Sequence, residues 1–275
     1  MKRASIIIPT KDKLSRLRLV LKALEPQVND SIEVIIIFDG CNQKTLEGFK
    51  EIQLTYELIK IVYPQNVGRA KARNLGIRQA KGDIIIFVDD DRIPCPGFIE
   101  MHIRRHQHKR YAVMGERLDI CFFEEELDRF YWSETKILDM VRDKKGIANE
   151  KYDILRRLTR PLFGNLLACV AFCTGNLSVR REDLLKVGMF DEKIIGWGIE
   201  DVDLGYRLIK DGIKLVRDYS LRNYHLVHPV DNKQQKVEYW RNFDYFLNKI
   251  KGDRVAILMA KLTTLVLYGR RPRTF

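Results

Sequence analysis

The sequence predicts an α/β fold in which a mainly parallel sheet is flanked by helices. Short β-branched runs alternate with helix-period segments through the first half of the chain, and this alternation is typical of parallel sheets. The strand runs are continuously apolar, which indicates strands covered on both faces. The length of 275 residues suits one large domain, or one domain with an appendage.

The hydrophobic period predicts the individual elements. Apolar runs predict strands at 5–9, 33–38, 58–62 and 83–89. Apolar residues three and four positions apart predict helices at 14–24, 45–54 and 70–80. The pattern then changes. A charged and aromatic stretch predicts helices at 122–160, and an ordered block follows at 172–229. The last segment predicts one or two helices at 234–268.

The composition narrows the class of protein only partly. The chain has 49 basic and 37 acidic residues and a net charge of +12, which attracts nucleic acid, acidic membranes or phosphorylated substrates. Its five cysteines form no C-x-x-C pair, so neither a structural zinc site nor a thioredoxin-like motif is indicated. Because the sequence has neither a signal-peptide pattern nor a membrane-length apolar run, we expect a cytoplasmic protein.

The ends of the predicted strands indicate where a ligand binds. In an open parallel sheet, ligands bind beyond the carboxyl ends of the strands. The candidate residues are therefore those that follow the strands, namely Pro9, Thr10, Asp39, Asp89, Asp90 and Asp91.

The aspartate triplet is the strongest of these signals. Three adjacent carboxylates repel one another unless a divalent cation neutralises them, and Mg²⁺ or Mn²⁺ would leave positions open for phosphate oxygens. Alternate residues of a strand share a face, so we expect Asp89 and Asp91 to act together and Asp90 to be least involved. The competing interpretation is a solvated acidic turn.

Three further segments could contribute to the same site. Asp39 could accept a hydrogen bond from a nucleotide base, although Asp-Gly is also a common turn. Arg73 lies near the start of a cationic helix, which is either an anion site or a basic surface helix. Further on, Gly196, Trp197 and Gly198 predict a loop on which the indole ring could stack against a ligand. Glu200 and Asp201 follow this loop. They could provide a general base, or they could be acidic residues that merely stabilise the start of a helix.

The histidines divide into two groups. His225 and His228 could supply a nitrogen ligand to a metal, but on a strand they would point to opposite faces, so we expect only one to do so. The second group lies in a strongly basic helix end, for which we expect a solvated face; its members are His102, His106 and His108.

Together these segments resemble the family 2 glycosyltransferases of the GT-A fold. The resemblance spans roughly residues 5–229 and implies a Rossmann-like mixed, mainly parallel sheet. It implies a divalent metal, Mn²⁺ or Mg²⁺, on the D-x-D motif Asp89–Asp91, with Asp91 as the expected ligand. The residues it implies for nucleotide binding are Pro9, Thr10, Asp12, Asp39, Arg73, Asp89 and Asp90. Phe38 departs from the family, because it stands where an aspartate usually precedes Asp39.

The acceptor side is similar to bacterial chondroitin-type polymerases and, more loosely, to galactosyltransferases. This similarity implies that Asp201, with Glu200 beside it, provides the catalytic base. It also implies that Trp197 and its flanking glycines line the acceptor or sugar pocket. A downstream histidine completes the metal site in such relatives, and the spacing favours His225 over His228.

The resulting hypothesis is an inverting transfer of a sugar from a nucleotide-sugar, such as a UDP-sugar, to an acceptor hydroxyl. We expect a catalytic domain at 1–230, with a nucleotide-binding half at 1–115 and an acceptor-binding half at 116–230, and a helical extension at 231–275. The acceptor could be a carbohydrate, a lipid-linked glycan, a natural product or a peptide. The alternatives are a nucleotidyltransferase and a non-catalytic nucleic-acid-binding protein; we expect no nucleic-acid partner.

The C-terminal segment suggests a location as well as a fold. The apolar stretch 255–268 precedes Arg270, Arg271 and Arg273, so the segment 255–273 could lie on an anionic membrane surface. The competing interpretation is a helix packed on the domain.

Overall fold

The computed structural model describes residues 2–107, 109–121, 127, 147–148, 169, 172–228 and 232–269. The described residues form one sheet of nine strands: β1 Ala4–Thr10, β2 Ile32–Asp39, β3 Leu58–Tyr63, β4 Ile84–Val88, β5 Arg92–Pro94, β6 Tyr111–Cys121, β7 Ile147–Ala148, β8 Asn176–Arg180 and β9 Lys214–Val227. The helices in this part of the chain are α1 Leu14–Leu24, α2 Gln43–Lys50, α3 Arg69–Gln79, α4 Phe98–Arg105, α5 Arg181–Lys186, α6 Glu200–Lys210, α7 Asn232–Lys249 and α8 Arg254–Tyr268.

The sheet has the predicted mixed, mainly parallel character. Its strand order is β3-β2-β1-β4-β8-β6-β9-β5, and β7 pairs with β6 outside this path. β1 pairs in parallel with both β2 and β4, whereas β8 and β5 run antiparallel to their neighbours. The order reverses between β1 and β4, so a crevice is expected beyond the carboxyl ends of these two strands.

Burial on both faces explains why the strand runs are apolar throughout. Ile6 and Ile8 of β1 pack with Leu17 of α1 in one hydrophobic cluster. Ile7, which points to the opposite face, packs with Ile77 of α3 in a second cluster. Helices therefore cover the sheet on both sides, as the sequence predicted.

Two predicted boundaries are wrong, and the second of them affects the site. The predicted helix 45–54 ends at Lys50, where the N–H of Glu51 bonds to the Gly48 carbonyl and tightens the last turn. The fourth strand ends at Val88, and the N–H of Arg92 bonds to the Asp89 carbonyl at 3.1 Å. The aspartate triplet therefore forms a turn, so strand alternation does not place Asp89 and Asp91 on one face.

The expectation of a solvated histidine face is wrong for His102 and His106. Both are buried, at 0% and 2% exposure, because His102 lies on the side of α4 that packs against the sheet and His106 directly follows this helix. His102 Nδ1 and His106 Nε2 each lie 2.8 Å from Ser178 Oγ. Burial lowers the pKa of His102 to about 3 and that of His106 to about 4, so both are neutral. His108 lies outside the described residues.

The C-terminal segment forms two helices, which pack against the segment before α6 and against α6 itself. Tyr239, Phe243 and Phe246 of α7 form a third hydrophobic cluster with Ile194 and Ile199. Among the described residues, no helix combines the length and the apolar character needed to cross a membrane. The segment 122–160 lies almost wholly outside the described residues. The predicted helices are wrong at Ile147–Ala148, which form strand β7 because they pair with β6, and elsewhere in the segment they remain a prediction.

Candidate active site

A hydrogen bond joins the end of β1 to the turn that follows β4. Thr10 Oγ1, at the end of β1, donates to Asp90 Oδ2 over 2.8 Å. Burial, and then the nearby charge of Asp91, raises the pKa of Asp90 to about 6, although Lys13 acts in the opposite direction. Asp90 is therefore a buried link between the end of β1 and the turn after β4, and the expectation that it is the least involved of the three aspartates stays a prediction.

Asp91, His225 and His228 form a cluster of possible metal ligands. One ligand atom from each lies within 4.8 Å of the other two. Asp91 Oδ2 lies 3.1 Å from His228 Nε2 and 3.8 Å from His225 Nε2. Because β9 ends at Val227, strand alternation does not extend to His228, and the argument that only one histidine could join the site does not hold.

The geometry of this cluster, which we call the metal triad, fits a divalent cation. Neighbouring ligands of an octahedral ion at 2.0–2.1 Å are about 2.9 Å apart, close to the separation of Asp91 Oδ2 and His228 Nε2. His225 Nδ1 lies 3.0 Å from Asp119 Oδ1, a contact that orients the ring and leaves Nε2 on the Asp91 side. Despite its burial, Asp91 has a pKa held well below the usual range by its close contact with His228 and by the charge of Lys13.

Asp89 has different partners from Asp91. Its Oδ1 lies 3.0 Å from Arg73 Nη2 and its Oδ2 lies 3.3 Å from Arg92 Nε. Burial acts to raise the pKa of Asp89, but the charges of Arg73 and Arg92 outweigh it and lower the pKa. A metal role for Asp89 would therefore compete with two guanidinium groups.

Arg73 connects the turn after β4 to the start of α6. Besides Asp89, its guanidinium lies 3.3 Å from Glu200 Oε1 and 3.6 Å from Asp201 Oδ1, both at the start of α6. Its side chain is only 3% exposed. The three carboxylates raise the pKa of Arg73 more than burial lowers it. Direct contact between Arg73 and a diphosphate would require the guanidinium to leave these carboxylates.

Asp201 has the environment expected of a general base. Its side chain is 19% exposed, whereas that of Glu200 is 3% exposed. Thr174 donates to both carboxylate oxygens, from Oγ1 over 2.8 Å and from the backbone N–H over 3.2 Å. Burial, and then the charge of Glu200, raises the pKa of Asp201 to about 6. Asp201 is therefore partly exposed and can lose its proton near neutral pH, as a general base must.

The sequence did not single out Lys13 or Thr174. Lys13 Nζ lies 2.7 Å from Asp91 Oδ2, and Thr174 holds Asp201. Lys13 stands just after the first predicted strand, where ligand-binding residues were expected, so its position was a usable signal. Thr174 precedes β8, a strand that was not separately predicted.

The loop at 196–198 is shaped by α7. The N–H of Trp197 donates to Glu238 Oε2 over 2.8 Å, and Asn242 Nδ2 donates to the Trp197 carbonyl over 3.2 Å. A Cβ on Gly196, which has a φ of +82°, would lie 2.6 Å from Glu238 Cδ, and one on Gly198 would lie 3.0 Å from a Tyr239 ring carbon. The close approach predicted from these glycines is thus made to a helix of this chain.

Two of the remaining residues predicted to contact the nucleotide accept hydrogen bonds from neighbouring loops. Asp39 accepts hydrogen bonds from the N–H groups of Val67 and Gly68, at 2.7 and 3.1 Å, and so shapes the loop before α3. Asp12 accepts one from the N–H of Asn42 over 2.8 Å. Pro9 remains within β1. These contacts place the three residues around the carboxyl ends of β1 and β2, and base recognition by Asp39 stays a prediction.

Known proteins match both halves of this site. Residues 5–182 match the family described as glycosyl transferase family 2, and residues 160–229 match the N-terminal domain of galactosyltransferase. The first match contains Asp39, Arg73 and the aspartate triplet, whereas the second contains Asp201, His225 and His228.

Individual relatives agree with these matches. The chain is 28% identical to the uncharacterized glycosyltransferase YfnE of Bacillus subtilis, over 92% of this chain and 71% of YfnE. It is also 28% identical to the chondroitin synthase of Pasteurella multocida, over 76% of this chain but only 23% of the synthase. The structure resembles that of GalNAc-T7 with UDP, GalNAc and Mn²⁺, with a TM-score of 0.64 and 16% identity over 90% of this chain and 48% of that one. Since the first family match covers more than half of its length, the chain belongs to glycosyl transferase family 2 and is a glycosyltransferase of the GT-A fold.

Proposed function

We propose that this glycosyltransferase moves a sugar from a UDP-sugar to an acceptor hydroxyl, with inversion and with dependence on a divalent metal. The observation that carries the proposal is the pair of groups joined through Arg73: the Asp89–Asp91 turn on one side and the partly exposed Asp201 on the other. Membership of the family favours a glycosyltransferase over the two alternatives, a nucleotidyltransferase and a non-catalytic nucleic-acid-binding protein.

The mechanism assigns a task to each side of the crevice. Asp91, His225 and His228 would hold the cation, whose positive charge would stabilise the leaving nucleotide diphosphate. Two imidazole ligands favour Mn²⁺ over Mg²⁺, which prefers oxygen ligands. The UDP and Mn²⁺ in the GalNAc-T7 structure support the choice of donor and metal.

Asp201 would accept the proton of the acceptor hydroxyl as that oxygen attacks the anomeric carbon. One in-line displacement inverts the anomeric centre, so a single base suffices. Thr174 holds both oxygens of this base, and the buried Glu200 would act on its pKa rather than on the acceptor. Trp197 and its glycines would border the acceptor, with α7 behind them.

Replacing Asp91 with alanine should abolish the metal-dependent part of nucleotide binding. The substitution removes the anionic ligand of the triad, so Mn²⁺ should no longer tighten the binding of UDP. Calorimetric titration of UDP with and without Mn²⁺ measures this, and we expect about a tenfold loss of affinity in its presence. The exposed Asp30 provides the matched control, since Asp30→Ala should bind like the parent. A Mn²⁺ effect that survives in Asp91→Ala would refute the metal role.

A panel of nucleotide-sugars tests the choice of donor. The parent protein, incubated with Mn²⁺ and each UDP-, GDP- or TDP-sugar, should release nucleotide diphosphate fastest with one UDP-sugar. Thermal stabilisation by the same panel provides a second readout that needs no acceptor. If only a GDP- or TDP-sugar stabilises the protein, the UDP assignment is wrong and the base-contacting residues must be reassigned.

We also propose that α8 rests on the inner, anionic face of a membrane. Leu258, Leu262 and Val266 lie at helical spacing and are 53%, 45% and 65% exposed. Arg254 begins this helix, and three arginines follow it in the sequence, so positive charge flanks the apolar face. Such a contact would place the site near a lipid-linked acceptor.

Vesicle flotation tests this surface. The double variant Leu258→Glu, Leu262→Glu should lose about tenfold in binding to vesicles that contain phosphatidylglycerol, because it places charge on the apolar face. Leu185, which is 41% exposed on α5, provides the control, and Leu185→Glu should float like the parent. Equal flotation of the parent and the double variant would end the membrane proposal.

A further inference from the structure

Lys13 lies within the metal triad itself. Its Nζ is 2.7 Å from Asp91 Oδ2 and 3.0 Å from His228 Nε2, and it is 3.4 Å from Asp90 Oδ1. The side chain of Lys13 is 29% exposed, whereas those of Asp90 and Asp91 are 7% and 6% exposed. An ammonium group thus supplies positive charge to two nearly buried carboxylates.

The two contacts of Nζ use the same atoms that a metal would use. A lysine ammonium can only donate hydrogen bonds, so His228 Nε2 must accept from it through its single lone pair. That lone pair is also the one that ligates a metal. Asp91 Oδ2 is the oxygen nearest both histidines, and it accepts from Lys13 as well. Lys13 and a divalent cation therefore cannot occupy this site together.

Electrostatic repulsion also prevents Lys13 and a divalent cation from occupying the site together. A cation held by Asp91 Oδ2 and His228 Nε2 would lie within a few ångströms of the ammonium, where like charges in a partly buried site repel strongly. Lys13 lies on the segment between β1 and α1, and a long side chain that is nearly one-third exposed has room to turn toward solvent.

We propose that Lys13 is a resident counter-cation of the metal triad, which holds Asp91 and His228 in their ligating arrangement until a divalent metal displaces it. The inference rests on the proposed metal role of the triad. It means that Lys13 weakens metal affinity, and that metal binding releases the ammonium from the site. Lys13 thereby prevents uncompensated repulsion between Asp90 and Asp91 before the metal binds.

A titration with Mn²⁺ alone tests the competition. Electron paramagnetic resonance of free Mn²⁺ would measure affinity in the full-length protein, without nucleotide. Lys13→Met should bind Mn²⁺ about tenfold more tightly than the parent, because the competing ammonium is gone while the ligands remain. Lys11→Met is the matched control: it removes the same charge from an exposed position two residues away and should stay within about twofold of the parent. Unchanged or weaker affinity in Lys13→Met overturns the proposal.

A second measurement uses the unaltered protein, so it does not depend on whether Lys13→Met folds. Reductive methylation followed by mass spectrometry reports how accessible each lysine amine is. Addition of Mn²⁺ should speed methylation of Lys13 severalfold and leave Lys11 unchanged. Slower or equal methylation of Lys13 contradicts its displacement.

The variant Asp91→Ala separates the two proposals. If it binds Mn²⁺ as the parent does, the metal site lies elsewhere and the role of Lys13 fails with it. If Asp91→Ala loses Mn²⁺ binding but Lys13→Met does not gain it, the metal site stands and only the counter-cation role fails.

Discussion

Asp201→Asn should lower kcat by about 10²- to 10⁴-fold while leaving UDP binding in the presence of Mn²⁺ within about twofold. An amide has nearly the shape of a carboxylate but cannot take the proton of the acceptor hydroxyl. Thr174 can still donate to the amide oxygen, and Arg73 still pairs with the buried Glu200. The start of α6 should therefore stay in place. The measurement is steady-state transfer, with UDP titration alongside.

The control for this variant is Asp211→Asn. Asp211 follows the other end of α6 and pairs with Lys186, so its loss should leave kcat within about twofold. Transfer by Asp201→Asn at the parental rate would show that another group is the base. A large loss of UDP affinity in Asp201→Asn would instead indicate a structural role.

The pH profile provides a second signature of the same residue. The pKa of Asp201 is raised from 3.8 to about 6, so the carboxyl is protonated, and inactive as a base, at lower pH. Parental kcat should therefore fall about tenfold per pH unit below pH 6 and level off above it. A level profile down to pH 4.5, well below that pKa, would contradict the assignment.

The first half of the fold was predictable because local pattern and tertiary environment agree there. β1 and β2 are isoleucine runs buried on both faces, and the helix periods of α1 and α3 match the helices closely. The burial of the histidines around α4 was not predicted, because the basic residues of this helix obscured the spacing of its buried side chains. Phe98 and His102 lie at helical spacing on its buried side and His106 continues that spacing just after its end, while Arg104 faces solvent.

The site was only partly predictable because its contacts join distant segments. The sequence selected Asp91, Asp201 and His225 through strand ends and family motifs. It could not show that Arg73 is enclosed by carboxylates, since Glu200 lies 127 positions away. It also treated His228 as a strand residue, although the strand ends one residue earlier.

Arg73→Met should lower the free energy of unfolding by about 3–5 kcal/mol, the largest stability effect that we expect in the described chain. The guanidinium is 3% exposed and lies within 3.6 Å of Asp89, Glu200 and Asp201. Methionine fills much of the volume but leaves the three carboxylates facing one another in a poorly solvated site. Urea unfolding at pH 7.5 measures the difference.

Two other substitutions separate charge from packing at this position. Arg78→Met, on the same helix, breaks an exposed pair with Glu192 and should cost less than about 1 kcal/mol. Arg73→Lys keeps the charge but loses the planar fork, so its stability should lie between those of the parent and Arg73→Met. Equal unfolding free energies for Arg73→Met and Arg78→Met would show that the carboxylates do not depend on Arg73.

The effect of Arg73 on the proposed base can be measured apart from its effect on stability. Burial and Glu200 raise the pKa of Asp201, and the charge of Arg73 opposes them. Removing that charge should raise the pKa further, so the acid limb of the pH–rate profile should move to higher pH in Arg73→Met, but much less in Arg73→Lys. A merely destabilised protein would lose activity at all pH values without moving the limb. The position of the limb therefore reports whether Arg73 lowers the proton affinity of Asp201.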